Sequence, residues 1–316
     1  MSRLSLALTA LALAVGAAAP TAANAAFPGR DGKLVFSWFS FMETEEGPPS
    51  TTVTAIQAAG PSGGRPATLR GCTRATGRPD AGDCSIGYGA PALSPSGRLV
   101  AFDAGDALAL MRIDGSGFRR LPAHSADDGE PAFSQNGKRL AFTAGGIAVA
   151  QQPPPPRAIW TSDLAGGAAR RVTVLGTSPS WSTHDWIAFL RADGVYRVRP
   201  DGHGLRRLVR LARCTDVDWS PGGTKLAFAC LTPHSGGRLY VADGDGRHLR
   251  RIPTRSLSPE AVAWAPSGKR LAVTSFDGTV VTIRLDGSHE RLIVSGGAGA
   301  TYTFGAGAVA WQPLPR

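Results

Sequence analysis

The sequence ends on AVAWQPLPR, residues 308–316, and two close relatives of this phrase occur upstream. They are AVAWAPSGKRLAV at 261–273 and DVDWSPGGTKLAF at 216–228, and each of them opens a long unit. At 308 the phrase opens a unit that this sequence does not continue. A strand that opens a unit alone needs partners from elsewhere in the chain, because an unpaired strand exposes its backbone hydrogen-bonding groups. The position of those partners decides the fold.

Internal repetition is the main feature of the chain. The large residue of the first strand recurs at spacings of 38 to 48 residues, at Leu93, Phe133, Trp181, Trp219, Trp264 and Trp311. Each unit starts with a hairpin whose turn is Ser-Pro-x-Gly or a variant of it, which places Pro and Gly where a β-turn favours them. A second hairpin follows, usually with an Asp-Gly turn. The unit is therefore four antiparallel strands, a to d, which is typical of a propeller blade.

The start of the chain supplies the strands that the final phrase lacks. GKLVFSWF at 32–39 is typical of strand b, and TTVTAIQAAGPSGGRPATL at 51–69 is typical of strands c and d. No strand a precedes them. Joined to 308–316 they complete one blade, which with five internal units predicts an all-β, six-bladed β-propeller. The C-terminal strand completes the N-terminal blade and closes the ring, so that no sheet edge is left open.

The repeated pattern W-S-P-x-G-x-x-L-A-F, followed by D-G-x-x-x-R-R-L, resembles the WD40-like (PD40) repeats of TolB-like six-bladed β-propellers. The Gly-His and Trp-Asp signatures of WD40 repeats themselves are absent. The resemblance covers nearly all of residues 27–316. It implies one TolB-like propeller domain over residues 26–316.

Residues 1–25 have the pattern of an export signal. Arg3 carries a positive charge, residues 4–18 are a short run rich in Leu, Ala and Val, and Ala23-Asn24-Ala25 fits a small-x-small cleavage site. A transmembrane helix is the alternative, but the run is short and no later stretch is long enough to span a membrane. We therefore expect cleavage after Ala25 and an exported, soluble protein in the periplasm, the cell envelope or the extracellular space.

Four cysteines are present, and export permits disulfides. Cys214 and Cys230 are each eight residues from Gly222, the centre of a predicted a–b hairpin. They should therefore face each other across two antiparallel strands, and we expect a disulfide between them. By elimination, Cys72 and Cys84 pair and staple the loop between the first two blades. Metal binding is the alternative, although no Cys-x-x-Cys spacing occurs.

The connections divide unequally between the two faces of the predicted ring. The a–b and c–d turns are tight, and we call their side the turn face. The b–c and d–a connections carry long insertions, and we call their side the loop face. Long loops on a rigid scaffold favour the loop face as the binding surface. Acidic residues are in excess on the loop face, and basic residues are in excess on the turn face.

Paired arginines open the outermost strand in four units: Arg119-Arg120, Arg170-Arg171, Arg206-Arg207 and Arg250-Arg251. The simpler interpretation is that charge on outer strands prevents edge-to-edge pairing. The alternative is a basic belt for anionic glycans or phospholipid head groups. We expect no nucleic-acid partner, because the protein is exported and no aromatic stacking array accompanies the arginines.

Three carboxylates and one histidine are the candidate ligand-binding residues at the loop-face mouth of the central channel: Glu130, Asp216, Glu260 and His124. Glu130 and Asp216 occupy equivalent positions, three residues before the large strand-a residue, and Glu260 is one residue further out. The functional interpretation is that together they hold a cation or a basic ligand. The competing interpretation is that these residues only orient the loops that they end.

Two functional hypotheses follow. The first is an exported, non-catalytic, monomeric propeller that binds a protein, peptide or glycan on the loop face, with no catalytic residues, no metal and no cofactor. It depends on the unequal loops and on histidines that do not converge by spacing. The alternative is a metal-assisted hydrolase or lyase with a divalent cation at the channel mouth.

Overall fold

The computed structural model describes residues 26–42, 51–75, 87–125, 127–145, 156–232, 236–255, 257–298 and 302–315. These residues form six small antiparallel sheets arranged as a six-bladed β-propeller, and none of them is helical. The described part of the chain accordingly contains no helix long and apolar enough to cross a membrane.

Each blade has four main strands. From the axis outward, blade 1 contains β25 (Tyr302–Leu314), β1 (Arg30–Met42), β2 (Thr51–Ala59) and β3 (Ala67–Ala75), and the short β24 (Gly297–Ala298) pairs with β25. Blade 2 contains β4 (Tyr88–Leu93), β5 (Leu99–Ala104), β6 (Ala107–Arg112) and β7 (Arg119–Arg120). Blade 3 contains β8 (Asp127–Phe133), β9 (Arg139–Gly145), β10 (Ala158–Asp163) and β11 (Arg170–Arg171).

The remaining three blades repeat the arrangement. Blade 4 contains β12 (Thr177–Trp181), β13 (Ile187–Arg191), β14 (Gly194–Val198) and β15 (Arg206–Val209). Blade 5 contains β16 (Cys214–Trp219), β17 (Lys225–Thr232), β18 (Gly236–Asp243) and β19 (Arg250–Ile252). Blade 6 contains β20 (Pro259–Trp264), β21 (Arg270–Ser275), β22 (Val280–Arg284) and β23 (Arg291–Val294).

The C-terminal strand closes the ring, as the sequence predicts. β25 is antiparallel to β1, with Leu34 opposite Trp311 and Arg30 opposite Leu314. The inner strands contact one another in a complete circle, because β25 touches both β4 of blade 2 and β20 of blade 6. Blades 6 and 1 share an apolar cluster that includes Leu34, Trp311 and Val309.

Two features form the Ser-Pro-x-Gly turns: the serine hydroxyl accepts a backbone hydrogen bond, and the glycine adopts a positive φ. In blade 2 the hydroxyl of Ser94 accepts from the Leu99 backbone N–H at 3.0 Å, and the Gly97 N–H donates to the Ser94 carbonyl at 2.8 Å. Gly97 has a φ of 67°, which favours glycine. Its backbone also lies so close to the Pro313 carbonyl that a Cβ atom would collide with the closing strand.

The large strand-a residues form the core between blades. Trp181, Trp219, Trp264 and Trp311 are each at most 4% exposed, and each belongs to a different apolar cluster. A tryptophan at this position covers a large area where two blade faces diverge from the axis. The repeated aromatic residue is thus explained by packing between blades.

The segment before β1 lies at the turn-face end of the inner strands. The Ala26 N–H is 3.4 Å from the Trp219 carbonyl, and the Gly29 N–H is 3.2 Å from the Pro266 carbonyl. Phe27 is 3% exposed and packs in a cluster drawn from blades 2 to 4, whereas Ala26 packs in a cluster drawn from blades 5 and 6. Contact with blades on several sides places these two residues at the end of the central channel.

The predicted disulfide is confirmed for one pair. Cys214 and Cys230 are opposite each other in β16 and β17 and are bonded. The predicted pairing of Cys72 with Cys84 lies outside the residues whose side chains the structure describes.

Some predicted loop-face insertions are extensions of strands. β17 continues to Thr232 and β18 begins at Gly236, so this b–c connection is a long hairpin. β8 already begins at Asp127, within the d–a connection between blades 2 and 3. Residues 302–310, before the last tryptophan, form the greater part of β25, because the long β1 offers them a pairing edge. The loop face is therefore built from projecting hairpins as well as loops.

Candidate functional site

The candidate carboxylates Glu130 and Asp216 lie where strand a enters the ring. In both blades the register between strands a and b shifts at this point, which marks a β-bulge. Glu130 has a φ of 55°, in the left-handed region that an ordinary residue adopts at a cost of about 1–3 kcal/mol. Ala90 and Ser178, at the same position in blades 2 and 4, share this conformation. The bulge is a repeated feature of the propeller and turns these side chains toward the neighbouring blade.

Glu130 is bound within the fold. It is 3% exposed, and its Oε2 accepts from the Thr143 hydroxyl at 2.5 Å and from the Ser178 N–H at 2.7 Å. Its Oε1 is 3.7 Å from the guanidinium of Arg157. Burial raises the pKa of Glu130, while Arg157 and the two hydrogen bonds oppose that rise. The carboxyl links blade 3 to the inner strand of blade 4.

Asp216 has the same role in blade 5. It is fully buried, and its Oδ2 accepts from the Val262 N–H of blade 6 at 2.8 Å. Two residues later, Asp218 is also fully buried and accepts from the Trp264 N–H at 2.7 Å and from the Ser180 hydroxyl at 3.1 Å. Burial raises the pKa of both carboxyls well above the ordinary range.

A pattern of side-chain bonds between inner strands emerges from these contacts. Except where the short β24 pairs with β25, strand a has no hydrogen-bonded neighbour on its axial side among the described residues, so side chains satisfy the backbone groups there. The bonds run from one blade to the next: Asp103 to the Glu130 N–H, Glu130 to the Ser178 N–H, Ser180 to the Trp219 N–H, Thr215 to the Glu260 carbonyl, Asp216 to the Val262 N–H, and Asp218 to the Trp264 N–H. We call these the inter-blade bonds.

Glu260 differs from the other two candidate carboxylates. Its side chain is half-buried in β20, and its carboxyl makes no hydrogen bond or ion pair with the described residues. Burial raises its pKa to about 7, and no neighbouring charge contributes to that rise. A carboxyl with this pKa gains and loses its proton near neutral pH. Because its carboxyl also takes no part in the inter-blade bonds, Glu260 is the candidate carboxylate that could contact a ligand.

His124 is held in the connection between blades 2 and 3. Its Nδ1 is 3.2 Å from the Asp128 carboxylate, and its Nε2 is 2.8 Å from the Gly166 carbonyl. Both ring nitrogens are therefore occupied. Among the described residues no three His, Cys, Asp or Glu side chains are grouped as metal ligands, so Glu130, Asp216, Glu260 and His124 do not form one cluster.

A large cavity opens on the loop face between blades 3, 4 and 5. It measures about 780 Å³ and we call it the arginine pocket, because Arg157, Arg191 and Arg213 line it from three different connections. Arg191 donates its Nε proton to the Leu175 carbonyl at 3.2 Å, and its guanidinium lies 4.7 Å from the centre of the Tyr196 ring. Arg213 is exposed and has a φ of 60°. This pocket is basic, against the acidic excess predicted for the loop face.

A second loop-face cavity, of about 310 Å³, lies between blades 1, 2 and 3. We call it the aromatic pocket, because Trp38, Phe39 and Tyr88 line it together with Asp103 and Asp127. Asp127 pairs with Arg157 of the arginine pocket at 3.2 Å. One ion pair thus separates an acidic aromatic cavity from a basic one. Neither cavity was predicted from the sequence, because each combines residues from three blades.

Clefts on the turn face are lined by cations that are already engaged. Three cavities of about 580, 460 and 270 Å³ lie there between blades 3, 4 and 5. Arg139 bonds to the Thr161 hydroxyl, Arg197 to the Gly244 carbonyl, and Lys225 to Asp243. The Arg197 bond links blade 4 to blade 5, and the other two bonds each lie within one blade.

The paired arginines of the outer strands are also used within the fold. The first arginine of three pairs donates to a carbonyl in the c–d turn of the next blade: Arg119 to Leu164, Arg170 to Asp201 and Arg250 to Leu285. In two pairs the second arginine forms an ion pair within its own blade, Arg120 with Asp106 and Arg207 with Asp193. The three bonds to carbonyls tie neighbouring blades together at the periphery, and the basic belt stays a prediction.

The fold is that of a TolB-like six-bladed β-propeller. TolB from Acinetobacter baumannii is 18% identical with a TM-score of 0.62, and the match covers 88% of this chain and 67% of that chain. A chain of a nidogen/laminin complex is 11% identical with a TM-score of 0.61, covering 89% and 100%. An oligogalacturonate lyase in complex with manganese is 13% identical with a TM-score of 0.51, covering 87% and 86%.

No protein family matches the sequence, and no curated protein matches it. The structural likenesses therefore establish the fold alone, which is shared by proteins of different function.

Proposed function

We propose that this protein is an exported, non-catalytic propeller that binds a protein, peptide or glycan through its loop face. The observation that carries the proposal is the pair of adjoining cavities there, one basic and one acidic and aromatic. Concave sites that combine apolar walls with a few charged groups are where ligands bind. The Cys214–Cys230 disulfide supports export, because such bonds persist in oxidising compartments.

Two of the three candidate carboxylates are bonded within the fold, which favours binding over catalysis. Glu130 and Asp216 hold backbone groups of the next blade, so their lone pairs are committed to the fold. Arg191 and Arg213, which form no ion pair with the described residues, line the arginine pocket.

Arrays of short peptides and of glycans test this proposal. We expect the purified protein to select a defined subset of one array. Arg213→Glu in the arginine pocket and Trp38→Ala in the aromatic pocket should each weaken that binding about tenfold or more. Arg251→Glu, an exposed arginine on the outer strand β19, is the control and should bind as the parent does. Binding that survives both loop-face changes and is lost in the control would place the site elsewhere.

A metal-assisted hydrolase or lyase is the second candidate, and Glu260 is the observation that favours it. A carboxyl whose pKa is about 7 is suited to accept a proton from a substrate. Metal analysis of protein purified without chelators, and ultraviolet absorbance of oligogalacturonate incubated with the protein, test the idea. We would expect a stoichiometric divalent metal and a rate that Glu260→Gln lowers about a hundredfold. A metal-free protein that leaves the substrate intact would contradict it.

A further inference from the structure

The arginine pocket has the chemistry of a carboxylate site. Arg191 is fixed by its bond to the Leu175 carbonyl and by its stacking on Tyr196, so its position is set before a ligand arrives. No described carboxylate pairs with Arg191 or with Arg213, whereas Asp193 on the same wall is already paired with Arg207. Two guanidinium groups therefore face one cavity without a counter-charge.

Much of the remaining lining is apolar. Pro156, Leu175 and Leu190 line the cavity, and the adjoining Val174 is 61% exposed. Asp193, which also lines it, accepts from the Tyr196 hydroxyl at 3.0 Å and from Arg207. A sugar acid surrounds its carboxylate with hydroxyl groups, and this lining contains no asparagine or glutamine to bond them. The walls fit an anion attached to an apolar body.

We propose that the arginine pocket binds the C-terminal carboxylate of a peptide whose last residue is apolar. Such a residue carries the charge and the apolar side chain on one Cα atom, which matches a cavity lined by both arginines and leucines. An internal Asp or Glu would bring the charge without the adjoining apolar group. This inference rests on the loop-face binding proposed above and names its ligand class.

Defined probes test this inference by isothermal titration. The probe is the hexapeptide Ser-Gly-Ser-Gly-Ser-Leu with a free C-terminus, compared with its C-terminal amide, with octanoate and with digalacturonate. We expect the free acid to bind about tenfold or more tightly than the amide. Arg213→Gln should remove that difference, and Arg251→Gln on the outer strand should preserve it.

Three outcomes would overturn the inference: equal affinity for acid and amide, octanoate binding as tightly as the peptide, or digalacturonate binding more tightly than the peptide. Each of them is distinguishable from failure of loop-face binding itself, because the arrays would still show binding that depends on Arg213 and Trp38. An acid-specific peptide signal that persists in Arg213→Gln would also count against this pocket.

The N-terminal segment lies against the strand that carries Asp218. Ala26 is 7% exposed, and its N–H is 3.4 Å from the carbonyl of Trp219, the residue that follows the fully buried Asp218. The Ala26 N–H is among the backbone donors that lower the pKa of Asp218, although burial has the larger, opposite effect. A buried carboxylate that lacks a cation is costly, because its charge has left water.

We infer that cleavage after Ala25 leaves the new α-ammonium of Ala26 paired with the Asp218 carboxylate. The ammonium offers three donors where the amide offers one, and the Trp219 carbonyl is a second acceptor at the same nitrogen. Removal of the leader would then stabilise the ring from within. An uncleaved chain or one with a residual extension would keep only the neutral amide.

Two forms of the mature chain test this inference. One begins at Ala26, as intact mass confirms, and the other carries Gly-Ser before it. We expect the first to melt about 4 °C higher at pH 6. Asp218→Asn should remove the difference, since the amide keeps the shape and loses the charge, while Glu290→Gln at an exposed site should keep it. Equal melting temperatures of the two forms, or a difference that survives Asp218→Asn, would overturn the inference. Exported protein whose mass shows another N-terminus would do so too.

Discussion

Single carboxylates replace missing strand neighbours along the axis of this propeller. Asp216 and Asp218 are adjacent on one side of β16, and both accept from backbone N–H groups of β20. Each of these bonds satisfies a donor that would otherwise be buried without a partner. The free-energy cost of removing such an acceptor is larger than the net value of the bond, because the donor stays desolvated.

Replacement of Asp218 tests this role. Asp218→Ala removes the acceptor for Trp264 and Ser180, and we expect the free energy of unfolding to fall by about 3 kcal/mol. Asp218→Asn should cost much less, because its amide oxygen still accepts from Trp264. Urea denaturation followed by tryptophan fluorescence measures both. Parent-like stability of the alanine variant would show that the inter-blade bonds contribute little.

Glu260 predicts a pH dependence of stability. Its pKa is about 7 in the folded protein against an ordinary 4.5, so between these values the unfolded chain releases a proton that the folded protein retains. Stability is therefore greatest below about pH 4.5 for this group and falls as pH rises through 7, by about 3 kcal/mol.

Glu260→Gln should flatten this slope. Urea midpoints measured between pH 4.5 and 8 should fall less steeply in the variant than in the parent. A residual slope is expected, because burial also raises the pKa of Asp103, Asp216 and Asp218. Identical slopes in the two proteins would mean that Glu260 titrates in its ordinary range.

Among the elements, the hairpin of β16 and β17 carries its own covalent link. Cys214 and Cys230 are register partners separated by 16 residues. The link restrains the loop-face end of the hairpin, and Cys214 also lines the arginine pocket. The disulfide thus fixes one wall of the proposed binding site.

Removal of this disulfide should weaken the fold. For the double variant Cys214→Ala, Cys230→Ala we expect the free energy of unfolding to fall by about 3 kcal/mol. Without the bond the unfolded chain gains the conformational entropy that closing a loop of this length removes. Urea denaturation of the double variant against the parent measures the loss. An unchanged midpoint would mean that the hairpin is equally restrained without the bond.

Elements with local signals could be predicted from the sequence. Turn residues at fixed offsets marked the hairpins, and the distances of Cys214 and Cys230 from Gly222 marked the disulfide. The bulge that puts Glu130 at a φ of 55° could not be predicted, because Glu carries no preference for that conformation. The Asp103 carboxylate of the neighbouring blade accepts from the Glu130 N–H at 2.7 Å and so stabilises this conformation.

The candidate site was only partly predictable for the same reason. The sequence identified the strand-a carboxylates. It did not show that two of them, Glu130 and Asp216, would accept hydrogen bonds from the next blade. An Asp at both 216 and 218, two residues apart in a strand, was the available signal of a polar stripe on one side of the strand. The arginine pocket had no such signal, since Arg157, Arg191 and Arg213 share no repeat position.

At the scale of the whole molecule, the ring depends on β25. Val309, Ala310 and Trp311 are each at most 4% exposed and pack against blades 2 and 6. Removing them would uncover the inner edge of β1 and the adjoining faces of two blades. Every other blade is continuous in sequence, so blade 1 is where the closed structure is held together by distant segments.

Truncation of residues 308–316 should therefore unfold the protein rather than shorten it. The loss of a buried tryptophan alone costs about 3–5 kcal/mol, which is comparable with the stability of a typical domain. We expect no cooperative melting transition in calorimetry. The matched control lacks only Pro315 and Arg316 and should melt within about 3 °C of the parent. A truncated chain that melts with the parent would contradict the closed ring.

The pairing of Arg30 with Leu314 also determines how the molecule responds to force. β1 begins and β25 ends side by side, at the same end of one antiparallel strand pair. Tension applied between Arg30 and Leu314 would therefore separate β1 from β25 one residue pair after another, instead of shearing the whole interface at once. We expect blade 1 to open at low force when it is pulled at these two strand ends.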